Sequence, residues 1–468
     1  MAITAAPRAD VEPIDRRLGL PPHPARLWTS TGDGRVRCHL CPRRCSLAEG
    51  EYGFCKVRKN DAGRLVTLNY GISVQLTEEV IETEAVYHLR PGARILSLGN
   101  VGCMMACTFC QNWATSQAVH VREEDVRRYT PEQVVETALA HGIGILSWTY
   151  NDPVVWHEFV LDTARLAKRH GLLNLYKSAF SIGAEAIEEL CEVIDIFSLS
   201  LKSMDPVFYS RMTRARLEPV LDAIRQVRTH RDRHLELSNL LVTGANDNLT
   251  EGAKVARWVL DELGDDVPLH FVRFHPAYQY TAVGRTSIDV LKAVREQALR
   301  MGVKHCYLGN VPEAGPWTDT SCGGCGAVLV RRFGLVSSTP GLNASGCCSS
   351  CGRLSPVVPG PTGHGPAAAP AVLPGREITH LWHGESTSGH VSLQNLTGSP
   401  RVAILRPDLR APAGRAIPLR PGEQWRLMVS REHPDSPGAA LSVPDGVQAE
   451  FWDVLDRAHF PTAQEMRP

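Results

Sequence analysis

The sequence predicts an α/β protein whose central unit is a partial (β/α)6 barrel, similar in layout to a TIM barrel. Helix-like and strand-like stretches alternate regularly between residues 131 and 308. A compact cysteine motif, Cys103-x3-Cys107-x2-Cys110, precedes that alternation and follows an apolar run at 93–99. Alternation of this kind builds a parallel sheet with right-handed crossovers, and a full eight-unit barrel is the alternative interpretation.

Composition limits the classes of function. The chain has 468 residues, which suggests two to four domains, and its 50 basic residues balance 50 acidic ones. A neutral chain lacks the electrostatic footprint of a nucleic-acid binder, so we expect no nucleic-acid partner. No apolar run has the length of a membrane span, and the first eight residues lack a signal-peptide core, so we expect no membrane partner and a cytoplasmic location. The 14 cysteines are therefore expected to bind metals rather than to form disulfides.

The N-terminal segment, residues 1–90, carries the first cysteine group. Its members are Cys38, Cys41, Cys45 and Cys55. The spacing of two, three and nine intervening residues supplies four thiols but is irregular. Zinc and an iron–sulfur cluster are both consistent with this group, and the spacing does not separate them.

The second group predicts a catalytic iron–sulfur cluster. Three thiolates are one fewer than the four that usually hold a 4Fe–4S cluster, so one iron keeps an open position. An open metal position marks a catalytic site, whereas a zinc knuckle would need a fourth ligand and none lies nearby in the sequence. The spacing, with Phe109 before Cys110, resembles the radical S-adenosylmethionine (SAM) enzymes. That resemblance implies that the free iron binds the methionine end of SAM and that Phe109 lies against its adenine side.

The central unit is predicted to span residues 91–315. Its predicted strands are 93–99, 144–150, 172–176, 196–201, 235–242, 268–273 and 305–308. Its predicted helices are 131–142, 154–170, 183–193, 217–229, 250–263 and 287–301. Parallel α/β folds keep their chemistry at the carboxyl ends of the strands, which is where the cysteine loop would lie.

Polar residues at later strand ends are predicted to bind SAM. They are Asn151, Asp152, Lys202, Asn246 and His275. An acidic or amide group near Asp152 suits the ammonium of SAM, and Lys202 suits its carboxylate. The competing interpretation is local, because Asn-Asp-Pro is also a common start of a helix.

The third cysteine group predicts a zinc-ribbon-like knuckle at residues 316–355. Its ligands would be Cys322, Cys325, Cys348 and Cys351, in two Cys-x2-Cys pairs separated by 22 residues. Cys347 is an alternative to Cys348, and an auxiliary iron–sulfur cluster is the alternative to zinc. The strand-like stretch 327–333 lies between the pairs.

The chain beyond the knuckle is predicted to be a linker and a small domain. Residues 356–375 are rich in Pro, Gly and Ala and predict a linker. Residues 376–468 show alternation at 390–396, 401–405 and 424–429, which predicts a small β domain whose role the sequence does not indicate.

Residues from about 30 to 355 resemble the radical SAM enzyme of the AmmeMemoRadiSam system, a family related to the activating enzymes of pyruvate formate-lyase. The similar stretches are Cys38–Pro42, Gly53–Arg58, Gly102–Trp113, Tyr150–Pro153, Arg216–Leu221, Pro268–Pro276 and Tyr307–Asn310. The family pattern has Glu at Asp152 and differs around Lys177–Phe180 and Ser200–Lys202.

The resemblance implies an oxidoreductase-type radical SAM enzyme with a 4Fe–4S cluster and SAM as cofactors, beside zinc in the knuckle. It implies a low-potential electron donor of the flavodoxin or ferredoxin type. The 5′-deoxyadenosyl radical would take hydrogen from an unknown substrate, for example a protein as in glycyl-radical activation, and a Memo-type or AMMECR-type protein is a further candidate partner. The alternative is a non-catalytic interaction protein that binds several zinc ions or iron–sulfur clusters.

Overall fold

The computed structural model describes residues 12–311, 315–360, 375–381, 388–409, 414–430 and 436–453. The described part of the chain contains no helix that is both long enough and apolar enough to cross a bilayer.

The N-terminal segment is built from one helical turn and short strands. The turn is α1 (Ile14–Arg17), and the strands are β1 (His23–Pro24), β2 (Trp28–Ser30), β3 (Val36–Cys38), β4 (Ser46–Leu47), β5 (Arg58–Asp61), β6 (Arg64–Thr67) and β7 (Ile72–Ser73). They form two antiparallel sheets, β1-β6-β5 and β2-β3-β4, while β7 pairs with a later strand. Cys38 is the last residue of β3, and Cys41, Cys45 and Cys55 lie on the loops that follow β3 and β4.

A run of parallel strands forms the centre of the molecule. The strands of this part are β8 (Gln75–Val80), β9 (Arg94–Gly99), β10 (Arg127–Arg128), β11 (Ile145–Thr149), β12 (Leu173–Ser178), β13 (Ile196–Ser200), β14 (His234–Leu241), β15 (Leu269–Arg273) and β16 (Cys306–Gly309). Strands β9 and β11 to β16 are parallel and lie side by side in chain order. Strand β8 joins them antiparallel to β9, and β10 pairs with β7.

Helices connect the parallel strands. They are α2 (Trp113–Ser116), α3 (Pro131–Ala140), α4 (His157–Arg169), α5 (Ala184–Cys191), α6 (Pro206–Phe208), α7 (Glu218–Thr229), α8 (Leu249–Trp258) and α9 (Ile288–Met301). Short 3-10 helices lie at Ile81–Glu84, Ala118–His120, Glu123–Asp125 and Pro153–Trp156, and π-helical turns lie at Tyr209–Thr213 and Val259–Leu263. The predicted start of α3 is confirmed, because Thr130 and Gln133 form a reciprocal capping box and Pro131 occupies the first turn.

The predicted α/β class with a parallel sheet is confirmed, whereas closure of the sheet into a partial barrel stays a prediction. Alternation along each strand gives the sheet two different faces. One face carries a small apolar cluster that includes Ile95, Ile145, Leu175 and Ile196. The other face belongs to the main core, which includes Leu96, Leu146, Tyr176 and Phe197. Burial on both faces explains why these strands read as near-continuous apolar runs.

The cysteine-paired knuckle forms a three-stranded antiparallel sheet beside the amino-terminal part of the large sheet. Its strands are β17 (Thr320–Ser321), β18 (Val328–Phe333) and β19 (Val336–Ser338). The buried Arg332 of β18 fastens it, because its guanidinium donates to the Tyr87 carbonyl at 2.7 Å and to the Thr318 carbonyl at 3.0 Å. Burying a guanidinium requires that its donors be satisfied in this way.

The C-terminal segment is a β structure that joins the large sheet. Its strands are β20 (Gly375–Leu381), β21 (Ser388–Asn395), β22 (Arg401–Arg406), β23 (Arg415–Leu419), β24 (Gln424–Ser430), β25 (Gly438–Pro444) and β26 (Val447–Asp453). Strands β20-β25-β22-β23 form one sheet, and β8-β24-β21-β26 extend the parallel sheet to eleven strands. Most of the predicted linker, from 361 to 374, lies outside the described residues, as do 454–468 at the end of the predicted domain.

Contacts fasten this segment to the N-terminal half of the chain. Strand β24 pairs in parallel with β8 through Arg426 and Leu427. The buried Glu78 of β8 receives hydrogen bonds from Arg415 and, at 2.7 Å, from Arg94. The predicted boundary at residue 90 therefore falls after a strand, β8, that is part of the large sheet.

Candidate active site

The loop that carries Cys103, Cys107 and Cys110 begins at the carboxyl end of β9 and is held by two backbone hydrogen bonds. The Ala106 amide donates to the Thr213 carbonyl at 3.0 Å, and the Thr108 amide donates to the Met212 carbonyl at 2.9 Å. These bonds anchor the loop to the π-helical turn at Tyr209–Thr213. The three thiols therefore lie at the carboxyl edge of the parallel sheet, as the sequence predicts.

The environment of these three thiols suits metal thiolates. The Met105 amide donates to Cys103 Sγ at 3.3 Å, and Ser116 Oγ lies 3.3 Å from Cys110 Sγ. Burial raises the pKa of each thiol, that of Cys107 to about 12, so a bound metal must supply the free energy that keeps them ionised. Within the described residues, no three cysteines of this loop have sulfurs within 4.8 Å of one another. The three sulfurs are therefore not drawn together around a single-ion site of the size of a zinc thiolate centre.

Asn151 holds the backbone of the cysteine loop. Its side-chain amide donates to the Gly102 carbonyl at 3.1 Å and also to the Asn100 carbonyl. Its Oδ1 atom is buried without a protein partner. A buried polar atom without a partner is costly, so this oxygen is a candidate acceptor for a bound ligand.

Asp152 acts as a helix cap in the structure. Its carboxylate accepts from the Val154 amide at 3.2 Å, from Ser178 Oγ at 2.8 Å and from the Ala179 amide at 2.9 Å. Burial raises its pKa, and these three donors oppose that shift. The local interpretation of Asn-Asp-Pro as a helix start is thus confirmed, and Asp152 fixes the ends of two strands beside the cysteine loop.

Lys202 is a cation close to the cysteine loop. Its Nζ atom lies 5.9 Å from the ring centroid of Phe109, which is buried. Its charge stabilises the thiolate forms of Cys107 and Cys110. Asn246 orients the Lys202 backbone by donating to its carbonyl at 2.8 Å. The structure therefore brings Phe109, Lys202 and Asn246 together with the loop.

His275 and Asn246 have partners that give them structural roles. The Nδ1 atom of His275 accepts from Arg285 Nε at 2.9 Å. The Oδ1 atom of Asn246 accepts from the Val242 amide at 2.5 Å, and its amide also donates to the Leu240 carbonyl at 3.0 Å. Both side chains stiffen loops at the carboxyl edge.

A buried polar group on the inner face of the sheet was missed by the sequence analysis. Lys177 Nζ donates to Ser198 Oγ at 3.0 Å and to Ser238 Oγ at 3.2 Å. Glu84 accepts from Ser147 at 3.1 Å and from Thr149 at 2.9 Å. Burial is the main cause that raises the pKa of Glu84 to about 7 and lowers that of Lys177 to about 8. The period-2 alternation places Lys177 on the same face as the apolar cluster, but the sequence contains no signal for its partner.

The C-terminal knuckle forms a compact four-thiol site. The sulfurs of Cys322 and Cys351 lie 3.7 Å apart, as do those of Cys325 and Cys348. All four lie within 4.8 Å of one another. Four thiolates about 2.3 Å from one zinc ion stand about 3.8 Å apart in a tetrahedron, so the site has the size of a single ion. The structure selects Cys348 rather than Cys347.

A cavity of about 340 Å³ opens beside the cysteine loop. Its lining includes Gln111, Asn112 and Thr115, which lie within five residues after Cys110, together with Gln424 and Arg426 of the C-terminal segment. The Arg127 guanidinium bridges the two parts by donating to Gln424 Oε1 at 2.9 Å. The C-terminal segment, to which the sequence assigned no role, thus reaches the neighbourhood of the loop.

Comparisons with known proteins agree with this geometry. Residues 97–259 match the profile of the Radical SAM superfamily. An uncharacterized protein of Methanocaldococcus jannaschii is 35% identical over 335 residues, which cover 71% of this chain and 99% of that protein.

The solved structures that match this chain are more distant in sequence. A domain of the pyruvate-formate lyase-activating enzyme from Bacteroides vulgatus is 17% identical, with a TM-score of 0.31, covering 35% of this chain and 98% of that one. Streptococcus suis SuiB bound to S-adenosylmethionine is 11% identical, with a TM-score of 0.36 and coverage of 45% and 48%. A radical SAM methyltransferase from Sphaerobacter thermophilus is 16% identical, with a TM-score of 0.37 and coverage of 63% and 79%.

Proposed function

This chain belongs to the radical SAM superfamily, and we propose on that premise that the loop of Cys103, Cys107 and Cys110 is where it cleaves SAM. Membership implies an enzyme with a 4Fe–4S cluster and SAM as cofactors, supplied with electrons by a donor. When bound, these cofactors supply one-electron reductive cleavage of SAM to methionine and a 5′-deoxyadenosyl radical, which takes a hydrogen atom from the substrate. The observation that carries the assignment is the position of three thiols, one buried and two half-buried, on a described loop that carries no fourth cysteine, at the carboxyl edge of a parallel sheet.

We propose that three side chains of this edge contact SAM. The Lys202 ammonium suits the carboxylate of the methionine group, and the buried Phe109 ring offers an apolar surface to the adenine side. The unpartnered Asn151 Oδ1 suits the ammonium of the same group. Asp152, Asn246 and His275 then act as positioning residues, because their polar atoms bond to the loops that hold these contacts.

A triple substitution tests the function. Changing Cys103, Cys107 and Cys110 to Ala should abolish formation of 5′-deoxyadenosine and methionine when the anaerobic protein is reduced with dithionite. The matched control is Cys191→Ala, because Cys191 is a buried thiol of helix α5 outside the three cysteine groups. Unchanged production of 5′-deoxyadenosine by the triple variant would contradict the assignment and would leave the non-catalytic metal-binding alternative.

We further propose that the substrate is a polypeptide segment that enters the cavity next to the loop. The side-chain amides of Gln111, Asn112 and Gln424 line the cavity with groups that match a peptide backbone, and two of them already have one protein partner each, since Asn112 donates to the Tyr150 carbonyl and Gln424 accepts from Arg127. A peptide deuterated at the reacting carbon should transfer deuterium to 5′-deoxyadenosine. Filling the cavity by Gln424→Trp should raise the KM for that peptide, and an unchanged KM would exclude the cavity as its site.

We propose that the electron donor is a ferredoxin- or flavodoxin-type protein. From the family resemblance, we also propose a Memo-type or AMMECR-type protein as a partner. Reduction by such a donor in place of dithionite, with 5′-deoxyadenosine as the readout, tests the first of these proposals.

A further inference from the structure

The four cysteines of the N-terminal segment converge on one place. The Cys38 amide donates to the Cys45 carbonyl at 3.0 Å, which closes the loop between β3 and β4 over Cys41. Cys55 comes from the next hairpin. The guanidinium carbon of Arg43, which lies between Cys41 and Cys45, is 3.4 Å from the ring centroid of Phe54, so the hairpin that carries Cys55 packs against the loop that carries Cys41 and Cys45.

A buried cation faces this group from the side of β5. The Arg58 side chain is 2% exposed, and its Nη1 atom lies 3.6 Å from Cys38 Sγ. The same guanidinium forms an ion pair with the buried Glu158 and donates to the Arg26 carbonyl at 3.0 Å. The sulfur of Cys38 therefore faces a permanently charged hydrogen-bond donor.

The size of the group distinguishes it from the C-terminal knuckle. Within the described residues, the knuckle is the one set of cysteines whose sulfurs all lie within 4.8 Å. No three sulfurs among Cys38, Cys41, Cys45 and Cys55 meet that limit, and the same is true of the catalytic loop. Four thiolates around a single zinc ion would be closer, whereas thiolates that bind different irons of one cluster stand farther apart.

The N-terminal group also touches the catalytic loop. A Cβ on Gly102 would lie 2.9 Å from the Cys55 carbonyl oxygen, so the two backbones are in direct contact next to Cys103. Arg43, which lies between Cys41 and Cys45, donates to the Met104 carbonyl at 2.8 Å. Two cysteine groups are thus joined through main-chain contacts at one edge of the sheet.

We propose that Cys38, Cys41, Cys45 and Cys55 hold a second 4Fe–4S cluster, fully ligated by protein, beside the SAM-cleaving cluster. Four thiolates leave no iron open, so this cluster does not bind SAM. Each of the two clusters accepts one electron from dithionite, passing from the 2+ to the 1+ state. The inference rests on the proposed function because the second cluster is placed beside the loop of Cys103, Cys107 and Cys110, where SAM is proposed to be cleaved.

Metal analysis of the anaerobically purified full-length protein tests the proposal first. We expect about eight irons, about eight sulfides and about one zinc per chain, with the zinc in the knuckle. About four irons and about two zincs per chain would overturn the proposal, because the N-terminal group would then be a zinc site.

Variants separate this proposal from the proposed function. With Cys103, Cys107 and Cys110 changed to Ala, we expect about four irons to remain, with an electron paramagnetic resonance signal after reduction that SAM does not alter. With Cys41→Ser or Cys55→Ser, we expect loss of about four irons while a SAM-responsive signal remains. Cys191→Ser is the matched control and should keep the wild-type iron content.

The outcomes of these variants are distinguishable. SAM cleavage by the triple Ala variant would defeat the proposed function but leave the iron count of the N-terminal group intact. A triple Ala variant without iron would overturn the second cluster even if the catalytic assignment stands. If a Cys41 or Cys55 variant fails to fold, the iron and zinc content of the wild-type protein still decides between a cluster and zinc.

Discussion

Replacing Gly102 by alanine should disturb the catalytic loop through one identifiable contact. The added Cβ would lie 2.9 Å from the Cys55 carbonyl oxygen and 3.0 Å from Val57 Cγ1. Ordinary contacts of a Cβ begin at 3.4 Å, so the loop must retreat by about 0.5 Å. The positive φ of +91° adds backbone strain of about 1–2 kcal/mol for an L-residue. Because a misplacement of about 1 Å can cost about a hundredfold in rate, we expect about a tenfold loss of SAM cleavage.

The assay is the initial rate of 5′-deoxyadenosine formation by reconstituted protein, measured with the iron content. Gly142→Ala is the matched control, since Gly142 also has a positive φ of +62° but no atom within 4 Å of an added Cβ. The Gly142→Ala protein has the backbone strain but not the contact with the Cys55 loop. It should therefore be less stable than the wild type and form 5′-deoxyadenosine at the wild-type rate per iron. A Gly102→Ala protein with wild-type rate and iron content would refute the idea that the Cys55 loop sets the position of the catalytic loop.

Three further outcomes follow from the structure. Glu158→Ala should lower the free energy of unfolding in urea by about 3–5 kcal/mol, because it leaves the buried Arg58 without its carboxylate. The double change Arg58→Met with Glu158→Leu should lower the free energy of unfolding by less than the single change. An equal or larger loss in the double variant would contradict this explanation. The hydrogen bond from His157 is the main cause that holds the pKa of Glu189 at about 2, below its ordinary 4.5. The ionised Glu189 therefore stabilises the fold above pH 4.5, and this stabilisation is lost as the pH falls toward 2. Glu189→Gln should weaken the dependence of the free energy of unfolding on pH in that window, and an unchanged dependence would contradict a role for the pair. Cys351→Ser should reduce the zinc content by about one ion per chain in emission spectrometry without lowering the iron content, whereas a loss of iron would show that the knuckle holds a cluster.

Local patterns in the sequence were sufficient for the order of the main strands and helices between residues 131 and 308. The strands Arg94–Gly99 and Ile145–Thr149 lie within the predicted apolar runs, because a strand buried on both faces must be apolar at nearly every position. The start of helix α3 was predictable because a capping box depends on residues three apart in the sequence. The grouping of Cys103, Cys107 and Cys110 on one loop was predictable for the same reason, since they lie within eight consecutive residues.

Contacts between distant parts of the chain were not predictable in this way. The carboxylate of Asp152 accepts hydrogen bonds from Ser178 and Ala179, which are 26 and 27 residues away. No short-range pattern in the sequence predicts these partners. The pairing of Lys177 with Glu84 is likewise a product of the fold, because the two lie on different elements that meet only across the inner face of the sheet.

By itself, the sequence determined the α/β alternation, the three cysteine groups and the polar residues at strand ends, because each is a short-range pattern of hydrophobicity or ligand spacing. Only the tertiary structure decided that β24 joins β8, that the C-terminal segment reaches the cavity, and that Cys55 touches Gly102. These features depend on which surfaces meet when the chain folds, and the free energy of those contacts is distributed over residues that are far apart in the sequence.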